Sequence, residues 1–314
     1  MRVVLQYRAS DGFREQIRRA FADGDPVAVI DEADDAAFAA AIADAAVLLH
    51  VLKPVTEAVM AGAPGLRLIQ KIGVGVNTID LDAARARGIA VANMPGTNSA
   101  AVAEMALALM LGVLRRTAYF DALTRAGQGW RPDLAVLDQA GEIGGRTVGL
   151  VGFGASARHL APVLTALGAR VVYTARGAKP DAPSSFRSLD ALLAESDIVS
   201  LHAPATEQTR GLIGAAALAR MKPGAVLINT ARGELVDEAA LREALISGRL
   251  RGAGLDVFAS EPAGPDNPLF GLPNVLASPH IAWLTPETLG RSLMVARENC
   301  RRLATGEPLL HRVV

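Results

Sequence analysis

The stretch Thr147-Val-Gly-Leu-Val-Gly152-Phe-Gly154-Ala155-Ser156-Ala157-Arg158 decides how the rest of the chain is read. A run of β character, Thr147–Val151, meets a glycine turn, and the segment behind it has helical period. A strand, a tight glycine turn and a helix in that order read as a dinucleotide site. Gly152 permits the turn, Gly154 lets backbone approach a pyrophosphate, and Ala157 keeps helix close to strand. The free amides of the helix N-terminus then donate to the phosphates. Gly-x-Gly-x-x-Ala is short, and its meaning comes from the strand ahead, the helix behind and a next strand about twenty residues on.

Outward from this turn the chain alternates short β-branched runs with longer Ala/Leu-rich segments, the pattern of parallel sheets covered by helices. Strands are predicted at Val3–Leu5, Val47–His50, Leu68–Lys71, Ile89–Ala92, Thr147–Val151, Arg170–Tyr173, Ile198–Leu201, Ala225–Asn229 and Gly252–Val257. Helices are predicted at Gly12–Phe21, Asp34–Ile42, Ser99–Arg116, Ala155–Leu167, Glu238–Ser247 and Pro286–Ala304. The glycines of Gly127-Gln-Gly-Trp-Arg-Pro132 and Gly141-Glu-Ile-Gly-Gly145 break the rhythm, as an irregular connection or arm would. At roughly 150 residues per domain, 314 residues imply two domains.

Composition narrows the function classes. Lys+Arg and Asp+Glu both number 32, so no excess of positive charge favours a nucleic acid or an anionic membrane as partner. Hydrophobic residues make up 51% of the chain, but the longest apolar run, Met105–Leu114, is closed by Glu104 and Arg115 and is too short to span lipid. The N-terminus returns to charge at Arg8 without the longer apolar region of a secretory signal, so a soluble, cytoplasmic protein is expected. The single cysteine, Cys300, forms neither an internal disulfide nor a thiolate zinc cluster, and no metal is expected.

Three further segments carry a family likeness: Leu201-His-Ala-Pro-Ala-Thr-Glu-Gln-Thr-Arg-Gly-Leu-Ile213; Met221-Lys-Pro-Gly-Ala-Val-Leu-Ile-Asn-Thr-Ala-Arg-Gly-Glu-Leu-Val-Asp237; and Gly254-Leu-Asp-Val-Phe-Ala-Ser-Glu-Pro262 with Ser278-Pro-His-Ile-Ala-Trp283. With these motifs the chain resembles the D-isomer-specific 2-hydroxyacid dehydrogenases over nearly its whole length, Gly73–Asp80 and Asn98–Glu104 included. The resemblance implies an α/β protein of two Rossmann-like, flavodoxin-like domains with parallel sheets and an interdomain active site. The expected substrate domain is 1–97 plus 285–314, and the dinucleotide domain is 98–284.

The resemblance also implies a catalytic trio of Arg232, Glu261 and His280, and chemistry accounts for the residue types. A guanidinium holds the carboxylate of a 2-oxo acid and polarises the neighbouring carbonyl with several fixed donors. An imidazolium protonates the oxygen as hydride reaches carbon. A carboxylate beside the ring favours its charged form and fixes its tautomer.

The family pattern further places Gly152, Gly154, Ala155 and Ser156 at the pyrophosphate, Ala203, Thr230 and Ala231 along the nucleotide, and Asp256 at the nicotinamide carboxamide. Substrate is expected against the amides of Val74 and Gly75, with Leu52 and Trp283 forming a small apolar wall. The family often has an Arg-Ser pair where this chain has His50-Val51, so the wall departs from the pattern.

Ala175 stands where the family's ribose-binding Asp is expected, and Arg176 follows it. Loss of the carboxylate removes repulsion of a 2′-phosphate, so NADPH is expected over NADH. The Pro279–Trp283 segment resembles the glyoxylate/hydroxypyruvate reductases, and Glu261 stands where formate dehydrogenase has Gln. The lack of an appended regulatory domain after Val314 counts against a long phosphoglycerate dehydrogenase. A nucleotide-sensing corepressor shares the fold, and the lack of polar low-complexity tails favours an enzyme. A homodimer is implied, with 119–144 as an arm across the interface.

Overall fold

The alternating apolar runs become two separate parallel sheets. The computed structural model describes residues 1–24 and 26–314, which fall into two units, 1–98 with 283–314 and 99–282.

The first unit contains β1 (Val3–Gln6), α1 (Asp11–Ala20), β2 (Val27–Ile30), α2 (Asp35–Ile42), β3 (Val47–His50), α3 (Glu57–Ala61), β4 (Leu68–Lys71), α4 (Leu81–Ala86) and β5 (Ala90–Ala92). Its strands lie in the order β2-β1-β3-β4-β5 and every pair is parallel. Strands β1, β3 and β4 are buried along their whole length and read as mainly apolar runs, with the polar residues Gln6, His50, Gln70 and Lys71 toward their carboxyl ends.

The second unit opens with α5 (Ser99–Arg115), α6 (Thr117–Arg125) and α7 (Leu134–Leu137). It continues through β6 (Thr147–Val151), α8 (Ala155–Ala166), β7 (Arg170–Thr174), β8 (Ser185–Phe186), α9 (Leu189–Glu195), β9 (Ile198–Leu201), α10 (Ala215–Arg220), β10 (Ala225–Asn229), α11 (Glu238–Ile246), β11 (Leu250–Leu255) and β12 (Val275–Ala277). The strand order is β12-β11-β10-β9-β6-β7-β8, all parallel. Helices α5 and α8 cover one face with a core that includes Leu109, Met110, Leu160 and Leu164. The other face packs Leu192, Leu218 and Leu241 of α9, α10 and α11 against the sheet.

Helix α12 (Pro286–Thr305) returns to the first unit. Its buried Asn299 donates through Nδ2 to Gln70 Oε1 at 2.6 Å and to Leu310 O at 3.1 Å. Gln70 in turn donates to Ala92 O at 3.2 Å, so one satisfied polar chain ties helix, sheet and C-terminal tail together.

Four features differ from the sequence expectation. Strands β2, β8 and β12 lie at sheet edges, partly exposed and only two to four residues long, and fall outside the predicted set although β2 and β12 are apolar in sequence. The expected strand Gly252–Val257 is shifted by two residues and runs Leu250–Leu255, which leaves Asp256 and Val257 beyond its end. The stretch expected to be irregular contains α6 and the single turn α7; an Asp121–Arg125 pair one turn apart, 2.8 Å, supports α6. Asn98, Trp283 and Leu284 group with the first unit, because the Trp283 ring is buried against Tyr7 just past β1, with ring centroids 6.4 Å apart.

Candidate active site

The sheet of the second unit reverses its strand order between β6 and β9, and a ligand crevice forms at the carboxyl ends of strands where such a reversal occurs. Gly152 sits there with φ +93°. A Cβ on it would lie 2.7 Å from Ala203 N and 2.7 Å from His202 C, so both the turn and the close approach of the β9 loop require glycine. Gly154, the residue before α8, faces open space, and no side chain caps the amides of that helix. Gly154 and Ala155 are exposed, and Ser156 is half-buried. At the end of β10, Thr230 is buried with an Oγ1 that has no partner. An open glycine turn, uncapped amides and an orphaned hydroxyl fit a dinucleotide, with Ala203 and Ala231 beside them.

The structure gives His202 a definite task. Its Nδ1 lies 3.2 Å from Ser156 Oγ and its Nε2 lies 2.9 Å from Ser200 Oγ, so the ring links β9 to the first turn of α8. Burial pushes its pKa down to about 4, and the ring therefore stays neutral.

The catalytic candidates come together within this one unit. His280 Nδ1–H donates to Glu261 Oε2 at 2.6 Å, which leaves Nε2 for a reacting oxygen. The other carboxylate oxygen of Glu261 accepts from Phe258 N at 2.9 Å. Burial alone would raise the Glu261 pKa, but the His280 hydrogen bond and charge, the Phe258 amide and the charge of Arg232 outweigh it and hold the carboxyl low. His280 has φ +54°, an uncommon conformation for a side chain of this size.

Asp256 holds that conformation. Its backbone O accepts from His280 N at 2.7 Å; its carboxylate accepts from Ser278 Oγ at 2.6 Å, Ile281 N at 3.0 Å and Ala282 N at 2.9 Å. Asp256 is fully buried, and burial is the leading cause of its raised pKa. In this structure it therefore organises the 278–282 loop.

Arg232 is set by a loop with its own lock. Asn229 donates through Nδ2 to Arg232 O at 2.8 Å and accepts from Ala231 N at 3.0 Å. Gly233 is packed so tightly on the 258–259 backbone that a Cβ would fall 1.9 Å from Phe258 O. The Arg232 and Glu261 loops thus pack against each other, a requirement that the Ala-Arg-Gly string alone did not disclose. Arg232 is half-buried, and burial lowers its pKa against the opposing charges of Glu234 and Glu261. It makes no ion pair among the described residues, and its Nη1 donates only to Ala231 O, at 2.6 Å.

The profile of the D-isomer specific 2-hydroxyacid dehydrogenase NAD binding domain matches residues 107–282. The chain belongs to that family. It is 41% identical over 291 residues to D-3-phosphoglycerate dehydrogenase of Mycobacterium leprae (strain TN), covering 90% of this chain and 54% of the relative. It therefore spans about half the length of the first curated relatives it matches. Identity to glyoxylate reductase of Thermococcus litoralis is 40% over 274 residues, covering 84% of this chain and 81% of that one. A solved protein of Thermus thermophilus superposes with a TM-score of 0.90 at 40% identity, each chain covered in full.

For this family member the remaining candidates fall as follows. Ala175 and Arg176 follow β7, and Arg176 is exposed with no ion pair among the described residues. Asp181, the carboxylate on the same loop, pairs with Arg158 at 2.9 Å. In the first unit, Val74 and Leu52 are exposed at 45% and 37%, Gly75 is half-buried, and Trp283 is 8% exposed. Trp283 thus presents little of its ring to any ligand. No helix among the described residues is long and apolar enough to cross a membrane.

Proposed function

We propose that the chain reduces a short 2-oxo acid, such as glyoxylate or hydroxypyruvate, to the D-2-hydroxy acid with NADPH. The observation that carries this reading is the short His280–Glu261 pair together with an Arg232 that forms no ion pair among the described residues. A bound reduced nicotinamide supplies the hydride. Arg232 holds the substrate carboxylate and draws electron density toward the carbonyl oxygen. His280 gives the proton on Nε2 to that oxygen, and Glu261 stabilises the imidazolium and its tautomer throughout. Gly152, Gly154, Ala155 and Ser156 hold the pyrophosphate, and Ala203, Thr230 and Ala231 line the nucleotide. Asp256 keeps lone-pair capacity for a carboxamide beyond the three bonds it accepts here. Val74, Gly75 and Leu52 are assigned to the substrate, whereas Trp283, buried against Tyr7, is left to packing.

The NADPH preference rests on Ala175 in place of an acid, on the exposed charge of Arg176, which forms no ion pair among the described residues, and on Asp181 being occupied by Arg158. A homodimer is part of the same reading, supported by the exposed apolar side chains Trp130 (96%), Leu134 and Leu137 on the 119–144 segment.

The test is steady-state reduction of glyoxylate, hydroxypyruvate and phosphohydroxypyruvate with each reduced cofactor. The expected result is a higher kcat/KM for a short acid and for NADPH, with Arg176→Ala weakening NADPH far more than NADH. A higher kcat/KM for phosphohydroxypyruvate overturns the substrate assignment. No turnover with any 2-oxo acid, alongside normal dinucleotide binding, would favour the nucleotide-sensing alternative.

A further inference from the structure

Two basic side chains lie side by side where the first sheet ends. His50 closes β3 and Lys71 closes β4; they are register partners, and Ile72 N donates to His50 O at 2.8 Å. Both are buried, at 4% and 6% exposure, yet the chain emerges just past each of them, at Leu52 and at Val74. His50 Nε2–H donates to Lys53 O at 2.7 Å, and burial together with the charge of Lys71 pushes the ring pKa down to about 3. The ring is therefore neutral, and Lys71 is the cation of the pair.

Lys71 braces two emerging segments at once. Its Nζ donates to Val51 O, and its Cε lies against Gly73, where a Cβ would sit 3.5 Å from it. Gly73 has φ +135°, a conformation that favours glycine, so the chain turns while still in contact with the lysine. The carbonyls of this turn are taken up by the residues after β5: Met94 N donates to Gly73 O at 2.8 Å and Asn93 Nδ2 donates to Val74 O at 2.9 Å. The amides of Val74 and Gly75 donate to no acceptor among the described residues.

A pair of backbone amides held by their carbonyls is a ready donor set for an oxyanion, and a cation beneath them adds to their field. Burial keeps that charge from being screened by water, and a buried ammonium itself gains from an anion placed close by. We propose that Lys71 is a positioning and specificity-determining residue for an anionic substrate: it fixes the Gly73–Gly75 turn, and its charge draws a carboxylate to the amides of Val74 and Gly75 without touching the reacting atoms. The inference rests on the assignment of Val74 and Gly75 to the 2-oxo acid, and it names the group that makes this segment select an acid over an uncharged derivative of the same shape.

The experiment compares wild type, Lys71→Met and Lys71→Arg, each saturated with reduced nicotinamide cofactor and checked for folding by circular dichroism. Oxamate affinity is read from cofactor fluorescence, and KM and kcat are measured for glyoxylate and for its uncharged methyl ester. Lys71→Met should weaken oxamate and raise the glyoxylate KM at least tenfold, with a smaller change in kcat, while the ester KM stays within threefold of wild type. Lys71→Arg keeps the charge and should restore most of the loss. Equal losses for acid and ester would make Lys71 a brace without a charge effect and overturn the proposal, as would oxamate affinity within threefold of wild type in Lys71→Met. If Lys71→Met does not fold, Lys71→Arg decides: a tenfold loss of oxamate affinity in that folded variant overturns the proposal, and retained affinity with an unchanged preference for acid over ester supports it. Wild type that binds oxamate through Lys71 but reduces no 2-oxo acid refutes the reductase reading and leaves the anion site standing. Wild type that binds no oxamate overturns the inference itself.

Discussion

Replacing Glu261 by Gln removes one negative charge from beside His280 and changes almost nothing else in volume. The amide oxygen of the glutamine still accepts from Phe258 N, which holds Oε1 at 2.9 Å in the native protein. Its NH2 group then faces His280 Nδ1, across the present 2.6 Å contact, and forces that nitrogen to become the acceptor. The ring is left neutral with its proton on Nε2, a weaker acid than the imidazolium. Unit charges about 4 Å apart at an effective dielectric near 20 interact by about 4 kcal/mol. The side chains are 21% and 31% exposed, so solvent reduces this to roughly 2–3 kcal/mol, or about 30–150-fold in rate. The expected kcat for 2-oxo acid reduction at pH 7 is therefore about 10²-fold lower, within the range for loss of general-acid function. Reduced-nicotinamide absorbance follows turnover, and cofactor fluorescence checks that binding is intact. A Glu261→Gln enzyme with kcat within threefold of wild type would refute the assigned pairing.

Three further outcomes are expected. Gly233→Ala places a methyl group on the Phe258–Ala259 backbone, so the Arg232 loop must shift; kcat should fall at least tenfold and stability by about 1–3 kcal/mol, measured by urea unfolding. His202→Ala leaves Ser156 and Ser200 without their shared partner and should weaken dinucleotide affinity several-fold by titration calorimetry, whereas unchanged affinity would make the ring merely structural. Buried His50, with Nδ1 unpartnered and pKa pushed down to about 3 by burial and Lys71, binds its proton in the unfolded chain before the folded one. Its stabilising effect is complete above the ordinary value of 6.5 and is lost as pH falls toward 3. Between pH 6.5 and 4.5 the loss is about 2–3 kcal/mol, and His50→Gln should flatten that part of the urea-unfolding profile.

Local residue pattern was enough to dictate the elements that bury both faces. Strands β3, β4, β6, β9 and β10 were legible to the residue, because a parallel strand covered on both faces reads as a near-continuous apolar run, interrupted here only by single polar residues or, in β4, the Gln70–Lys71 end. The glycine turn at 152–154 was legible for a related reason, since backbone that bends sharply between strand and helix leaves few choices of residue. Edge strands and the short helices α6 and α7 were not, because elements this short carry too few residues for their pattern to stand out from the surrounding chain.

How the chemistry is assembled came from packing in three dimensions. Arg232, Glu261 and His280 are dispersed in sequence, and a string of letters does not say that Gly233 must touch the Phe258 backbone or that Asp256 holds His280 at positive φ. Nor does it distinguish an arginine that finds a carboxylate, such as Arg158, from Arg251, which does not. Apolar burial is a property of local pattern and survives in one dimension. Hydrogen-bond satisfaction and charge compensation depend on which distant loops meet, and that is settled by the packed strands and helices that carry them.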